Sequence, residues 1–245
     1  MKMMVFKGAS IVVFSLCLLI LNTAKGEEEN KNGGNPVWNF LFGGKETHTY
    51  NSPLKPPMTT GESGNASTAY VRWGRDVCNP DTSETVYTGY VGGGSHAHKG
   101  GGTNPLCLPE TPEYDDTLTV NGGSRSPIFG AEYETNTYSP FSYVHDSDTV
   151  CALCLARGRS TTSMIPAKRT CPPGWTKEYG GLLMGSHNGH YGHDFLCIDR
   201  NPQGRSGSSA SKDGFLLYAV EGTCGSLPCP PYVSGKEISC VVCSR

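Results

Sequence analysis

The first stretch of the chain with a pronounced apolar pattern is residues 11–21, IVVFSLCLLIL. Lys2 and Lys7 precede it, and Asn22, Thr23, Ala24, Lys25 and Gly26 follow. A charged start, a short apolar run and a small-residue exit form the layout of a secretory signal peptide, assigned here to residues 1–26. At 11 residues the run is well short of the roughly 20 needed to span a bilayer. Beyond it no segment carries a 3.6-residue apolar stripe of useful length. Short apolar or alternating runs stand instead between Gly- and Pro-rich turns, a pattern that reads as β-strand. The expected strands are 69–73, 85–91, 127–134, 149–155, 163–167, 176–184, 195–198, 215–221 and 238–243. In 215–221 both alternating faces are apolar, so that strand is expected to be covered on both sides. The fold class is therefore all-β, and the exported protein is expected to be soluble and extracellular, with no membrane span.

Composition narrows the function classes. Gly 32 and Pro 17 in 245 residues exclude a helical bundle or long coiled coil. A net charge of −2 supplies no electrostatic reason for a nucleic-acid partner. Residues 27–66 have no cysteine, open with Glu27, Glu28 and Glu29, and suit an extended leader. One apolar island, Val37-Trp38-Asn39-Phe40-Leu41-Phe42, interrupts it. Asn65-Ala66-Ser67 is a sequon, which makes Asn65 a candidate for glycosylation in an exported chain.

Cysteine carries most of the architectural signal. Cys17 falls inside the signal peptide, leaving Cys78, Cys107, Cys151, Cys154, Cys171, Cys197, Cys224, Cys229, Cys240 and Cys243. An even set in an oxidising compartment reads as a disulfide framework. The spacing repeats: 29, 44 and 3 positions separate the first four, and 26, 43 and 3 separate Cys171, Cys197, Cys240 and Cys243. Flanking residues keep the same register: Gly94-Ser95-His96 matches Gly185-Ser186-His187, and Leu106-Cys107-Leu108 matches Leu196-Cys197-Ile198. Two tandem halves follow, 68–157 and 160–245, packed as one unit; the second has an added pair, Cys224 and Cys229, spaced for a small loop. On a strand, residues three apart lie about 10 Å apart and face opposite ways, too far for a disulfide. Cys151 therefore should not bond Cys154, nor Cys240 bond Cys243. Nested and crossed pairings both remain open in each half.

The motifs Tyr70-Val71-Arg72-Trp73-Gly74-Arg75, Gly130-Ala131-Glu132-Tyr133-Glu134, Met164-Ile165-Pro166-Ala167-Lys168 and Cys171-Pro172-Pro173-Gly174-Trp175 resemble one known family. So do 225–232 (GSLPCPPY) and the terminal Cys-Val-Val-Cys. Together they are similar to the C-terminal non-collagenous domain of short-chain, spongin-type collagens and related secreted proteins of marine invertebrates. More distantly the cysteine frame resembles the C-terminal domain of basement-membrane collagen, and that analogy implies the nested pairing. It implies Cys78–Cys154 with Cys107–Cys151, Cys171–Cys243 with Cys197–Cys240, and Cys224–Cys229. The resemblance also implies a matrix or assembly role, with matrix proteins, glycans or further copies of the chain as partners, and supplies no catalytic residues. Residues 27–66 lack the period-three glycine of a collagen tract, so no triple helix is expected there.

Candidate chemistry is sparse. G-x-S-x-G, H-E-x-x-H and P-loop motifs are absent, so neither enzymatic activity nor a cofactor is expected. His96 and His98 in one loop, and His187, His190 and His193 in the matching loop, are spaced to share zinc or copper, with Asp194 or Asp199 assisting. Tyr87, Tyr90, Tyr133, Tyr138 and Tyr143 are candidates for stacking on sugars in a glycan-binding, lectin-like alternative. Arg157, Arg159, Lys168 and Arg169 form a basic group that would suit sulfated glycans.

Overall fold

The computed structural model describes residues 66–115 and 123–245. The signal peptide, the leader up to Asn65 and its apolar island lie outside the described residues. Ten strands are described: β1 (Ser67–Trp73), β2 (Glu84–Gly93), β3 (Leu106–Pro109), β4 (Phe129–Tyr133), β5 (Val150–Arg157), β6 (Thr162–Pro166), β7 (Thr176–Gly185), β8 (Leu196–Asp199), β9 (Phe215–Ala219) and β10 (Ser239–Ser244). A 3-10 turn at Ser139–Val144 is the helical element among them. Pro140 stands in its first turn, where its fixed φ fits and its missing N–H has no intrahelical partner to lose. No helix among the described residues is long and apolar enough to cross a membrane.

Antiparallel pairing organises each stretch. β5 lies between β1 and β2, and both β3 and β4 pair with β2. Further along, β10 lies between β6 and β7, and both β8 and β9 pair with β7. Two parallel contacts then join the sets: β4 with β9 from Ala131↔Phe215 to Tyr133↔Leu217, and β1 with β8 at Trp73↔Ile198. The circuit β7-β8-β1-β5-β2-β4-β9 closes back on β7 as a seven-stranded barrel, with β3, β6 and β10 outside it. Closure removes most of the open edge that an isolated sheet would expose.

The barrel interior is filled by Val91, Tyr133, Phe141, Leu182, Met184, Ile198, Phe215 and Leu217, among others. A second apolar group centres on Tyr70, Ala152, Cys154, Tyr179, Leu183 and Val242. β5 (VCALCLAR), β8 (LCID) and β10 (SCVVCS) are buried on both faces over most of their length. β9 departs from the sequence expectation. It ends at Ala219, and only Phe215, Leu216 and Leu217 are fully buried; by Glu221 the chain is exposed. The four-residue β3 was not among the expected strands. It depends on a close approach to β2, because a Cβ on Gly89 would sit 1.9 Å from the Leu108 carbonyl oxygen. Gly181 on β7 has the same role beneath β8, where a Cβ would meet the Ile198 oxygen at 1.7 Å.

Five disulfides clamp these strands: Cys78–Cys154, Cys107–Cys151, Cys171–Cys243, Cys197–Cys240 and Cys224–Cys229. Their Cα atoms are 5.7 to 5.9 Å apart. Neighbouring cysteines on one strand serve different layers: Cys151 belongs to the barrel interior and Cys154 to the second apolar group. The pairs that close loops of 76 and 72 positions each restrict the unfolded chain by about 4 kcal/mol in the chain-entropy account.

Candidate functional site

The β2–β3 and β7–β8 connections fold against one another. The Tyr191 N–H donates to the His96 carbonyl at 3.0 Å, and the Asp194 N–H to the Thr103 carbonyl at 3.2 Å. This contact gathers three of the five predicted histidines. The His96 and His190 rings lie 4.6 Å apart between centroids, and His187 and His190 lie 5.2 Å apart. Tyr218 of β9 completes the group, 5.2 Å from His187 and 5.7 Å from His190. His190 Nδ1 is buried without a hydrogen-bond partner. Burial, then the neighbouring His96 and His187, hold the His190 imidazole below the ordinary histidine range, against a weaker pull from Asp213.

The other two histidines go elsewhere. His193 stacks on Phe215 at 3.9 Å, and its two ring nitrogens face the Asp194 and Leu216 carbonyl oxygens at 2.9 and 3.0 Å. A metal on either nitrogen would displace a hydrogen bond. His98 packs edge-on against Phe129 at 5.3 Å. Asp199 is drawn to the β1–β8 seam, where Arg72 Nε and Nη2 both donate to its Oδ2, at 2.9 and 2.7 Å. Among the described residues, two sets of three possible ligand atoms come within 4.8 Å of one another, Glu134/His145/Asp146 and Glu132/Glu134/Asp213. Neither includes His96, His98, His187, His190 or His193. Sequence proximity points to the histidines, three of which converge as rings; the sets whose possible ligand atoms come within 4.8 Å of one another are largely carboxylates. The available signal was the alternation Glu132-Tyr133-Glu134, which places two acids on one strand face.

The tyrosines divide similarly. Tyr133 is fully buried in the barrel, so it offers no face to a sugar. Tyr87 donates to the Cys107 carbonyl at 2.9 Å, and Tyr138 packs edge-on against Phe141 at 5.2 Å. Tyr143 is 64% exposed and Tyr90 39% exposed, leaving these two with open surface. In the basic group, Arg157 is paired with Glu84, and Arg159 donates to the Thr176 hydroxyl at 2.8 Å.

Two further features lie near the β1–β8 seam. A cavity of about 200 Å³ is lined by Tyr70, Val71 and Trp73 of β1, Met164 of β6, Phe195 and Val242, among others. Glu178 of β7 is buried and accepts hydrogen bonds from Tyr70 (3.0 Å), Thr82 (2.6 Å), Ser83 (2.6 Å) and Ser244. Burial alone would raise the Glu178 carboxyl; the Ser244, Ser83, Thr82 and Tyr70 hydroxyls outweigh it and hold it below the ordinary glutamate range. No protein-family model matches the chain.

Proposed function

We propose that this chain is a secreted, non-enzymatic component of extracellular or skeletal matrix, built as a tandem duplication of one disulfide-clamped β unit. The observation that carries the reading is a constellation present twice. Tyr87 and Tyr179 each donate to a cysteine carbonyl at 2.9 Å, Cys107 and Cys197 respectively. Gly89 and Gly181, two residues on, each lie beneath the strand bearing that cysteine. The same cysteines bond partners of matching order, Cys151 and Cys240. A repeated tyrosine–glycine–cysteine arrangement inside a repeated strand pairing supports descent from one ancestral half. With the short-chain collagen resemblance, it favours a structural or assembly role over catalysis. Export by the residue 1–26 signal, glycosylation at Asn65 and association between copies belong to the same reading.

The test is where the mature protein accumulates. Under this reading, antibody against the folded domain finds it in the insoluble matrix fraction, released by thiol reduction with denaturant. Recovery in the soluble fraction, with retention on a glycan array that Tyr90→Ala or Tyr143→Ala abolishes, would replace it with the glycan-binding alternative.

A further inference from the structure

The outer face of the β4–β9 pair carries charge that the fold itself leaves unmatched. Ala131 and Tyr133 point into the barrel, so Glu132 and Glu134 share the opposite face. The segment before β9 covers that face, and Glu132 is 1% exposed. One of its oxygens, Oε2, accepts the Lys212 backbone N–H at 2.8 Å. The other, Oε1, is buried with no hydrogen-bond partner. A buried carboxylate oxygen without a donor is expensive, and native structures rarely leave one. Asp213 brings a third carboxylate, and one oxygen from each of Glu132, Glu134 and Asp213 lies within 4.8 Å of the other two. Next to Glu134 stand His145, 3.9 Å away, and Asp146, whose Oδ1 is 3.4 Å from His145 Nε2. Among the described residues no lysine or arginine side chain pairs with Glu132, Glu134, Asp146 or Asp213; Arg205 is engaged by Asp148. Ionisation of Glu134 is opposed first by burial and then, against His145, by the charges on Glu132 and Asp146 and by a hydrogen bond to the Glu132 side chain.

We propose that Glu132, Glu134 and Asp213 form a binding site for a calcium-class divalent cation. The donor set is all oxygen, which suits a hard cation. The three oxygens lie within 4.8 Å of one another, close enough for small side-chain adjustments to bring all three to Ca–O distances of ~2.4 Å. A cation there would give the crowded Glu132, Glu134 and Asp213 oxygens a shared positive partner. Asp213 is exposed, so water has access to complete the coordination shell. Mg2+ would demand tighter octahedral geometry and keep more of its water. The site is independent of the matrix reading and stands or falls apart from it.

The experiment uses the full secreted chain, stripped with chelator and titrated with Tb3+ as the luminescent stand-in for Ca2+. Tyr218 follows Leu217, whose carbonyl accepts the Glu134 N–H at 2.9 Å, so this tyrosine stands beside the cluster as a sensitiser for Tb3+. Saturable emission should appear, be displaced by CaCl2 before MgCl2, and fall in Tyr218→Phe. Asp213→Asn, on an exposed loop, should weaken Ca2+ competition about tenfold, and Glu134→Gln should do so again. Glu221→Gln, an exposed acid outside the cluster, should leave it unchanged. Absence of Ca2+-competed emission up to about 10 mM, beyond the weak extracellular class, would overturn the site. So would unaltered Ca2+ competition in both Asp213→Asn and Glu134→Gln.

Discussion

The region around Glu178 and the outer face around Glu132 each bury a glutamate, 2% and 1% exposed, and treat it in opposite ways. Glu178 receives four hydroxyls drawn from β1, the β1–β2 turn and β10. Its charge is satisfied by the protein, and the network ties residues 66 to 108 positions apart in sequence. Glu132 receives one backbone N–H and has an oxygen with nothing to accept. Equal burial of the same side chain therefore does not imply equal purpose. A completed network is a fastening; an incomplete one, crowded by two further acids, is what a cation would complete.

The largest test of that contrast is removal. Glu178→Ala strands the hydroxyls of Tyr70, Thr82, Ser83 and Ser244 and is expected to cost about 3 kcal/mol in non-reducing urea denaturation. Glu132→Gln, measured in chelator, is expected to stay within about 1 kcal/mol of the parent or to gain stability, since its amide supplies a donor to the neighbouring acids. Comparable losses in the two variants would collapse the distinction.

Calcium should act on one region alone. At free Ca2+ ten times the dissociation constant, the parent and Glu178→Ala should each gain about 1.4 kcal/mol, and Glu132→Gln much less. A gain that persists undiminished in Glu132→Gln would move the ion away from this face.

Acid should separate the regions by sign. The Glu178 carboxyl is lowered in the fold, so its contribution is present above the ordinary glutamate range and is lost as pH falls through its folded value. The Glu134 carboxyl is raised, so its contribution is present below the ordinary range and is lost as pH rises through its folded value. Stability differences between parent and Glu178→Gln, or Glu134→Gln, should slope oppositely with pH in chelator. Parallel slopes would refute the assignment of the two environments. The smallest effect belongs to an exposed carboxylate pair. Arg157→Ala, which frees Glu84 at the surface, should change stability by no more than about 0.5 kcal/mol.

The all-β class and the positions of the longer strands were readable because alternation and turn residues are local signals. β3 was not, since four residues flanked by prolines hold as a strand only through β2 and the approach that Gly89 permits. Strand alternation separated Cys151 from Cys154 and Cys240 from Cys243. It could not choose between nested and crossed bonds, because it reports the face of a residue and not what lies above it. The histidines show the same limit. His187, His190 and His193 are close in sequence, yet the intervening turn sends His193 to the Leu216 carbonyl. Two of the three acids, Glu132 and Glu134, alternate in the sequence; Asp213 arrives from the loop before β9, a contact no local pattern encodes.

The outer disulfides also have a mechanical consequence. Cys78–Cys154 and Cys171–Cys243 join each long stretch near its own ends. Tension applied between residue 66 and the C-terminus would pass from sulfur to sulfur and bypass β2 to β4 in the first stretch and β7 to β9 in the second. Among the described residues, only the short lead-in before Cys78, the connection from Cys154 to Cys171 and the last two residues could lengthen. A thiol reductant would therefore add the two closed loops, of 76 and 72 positions, to the length the chain can release.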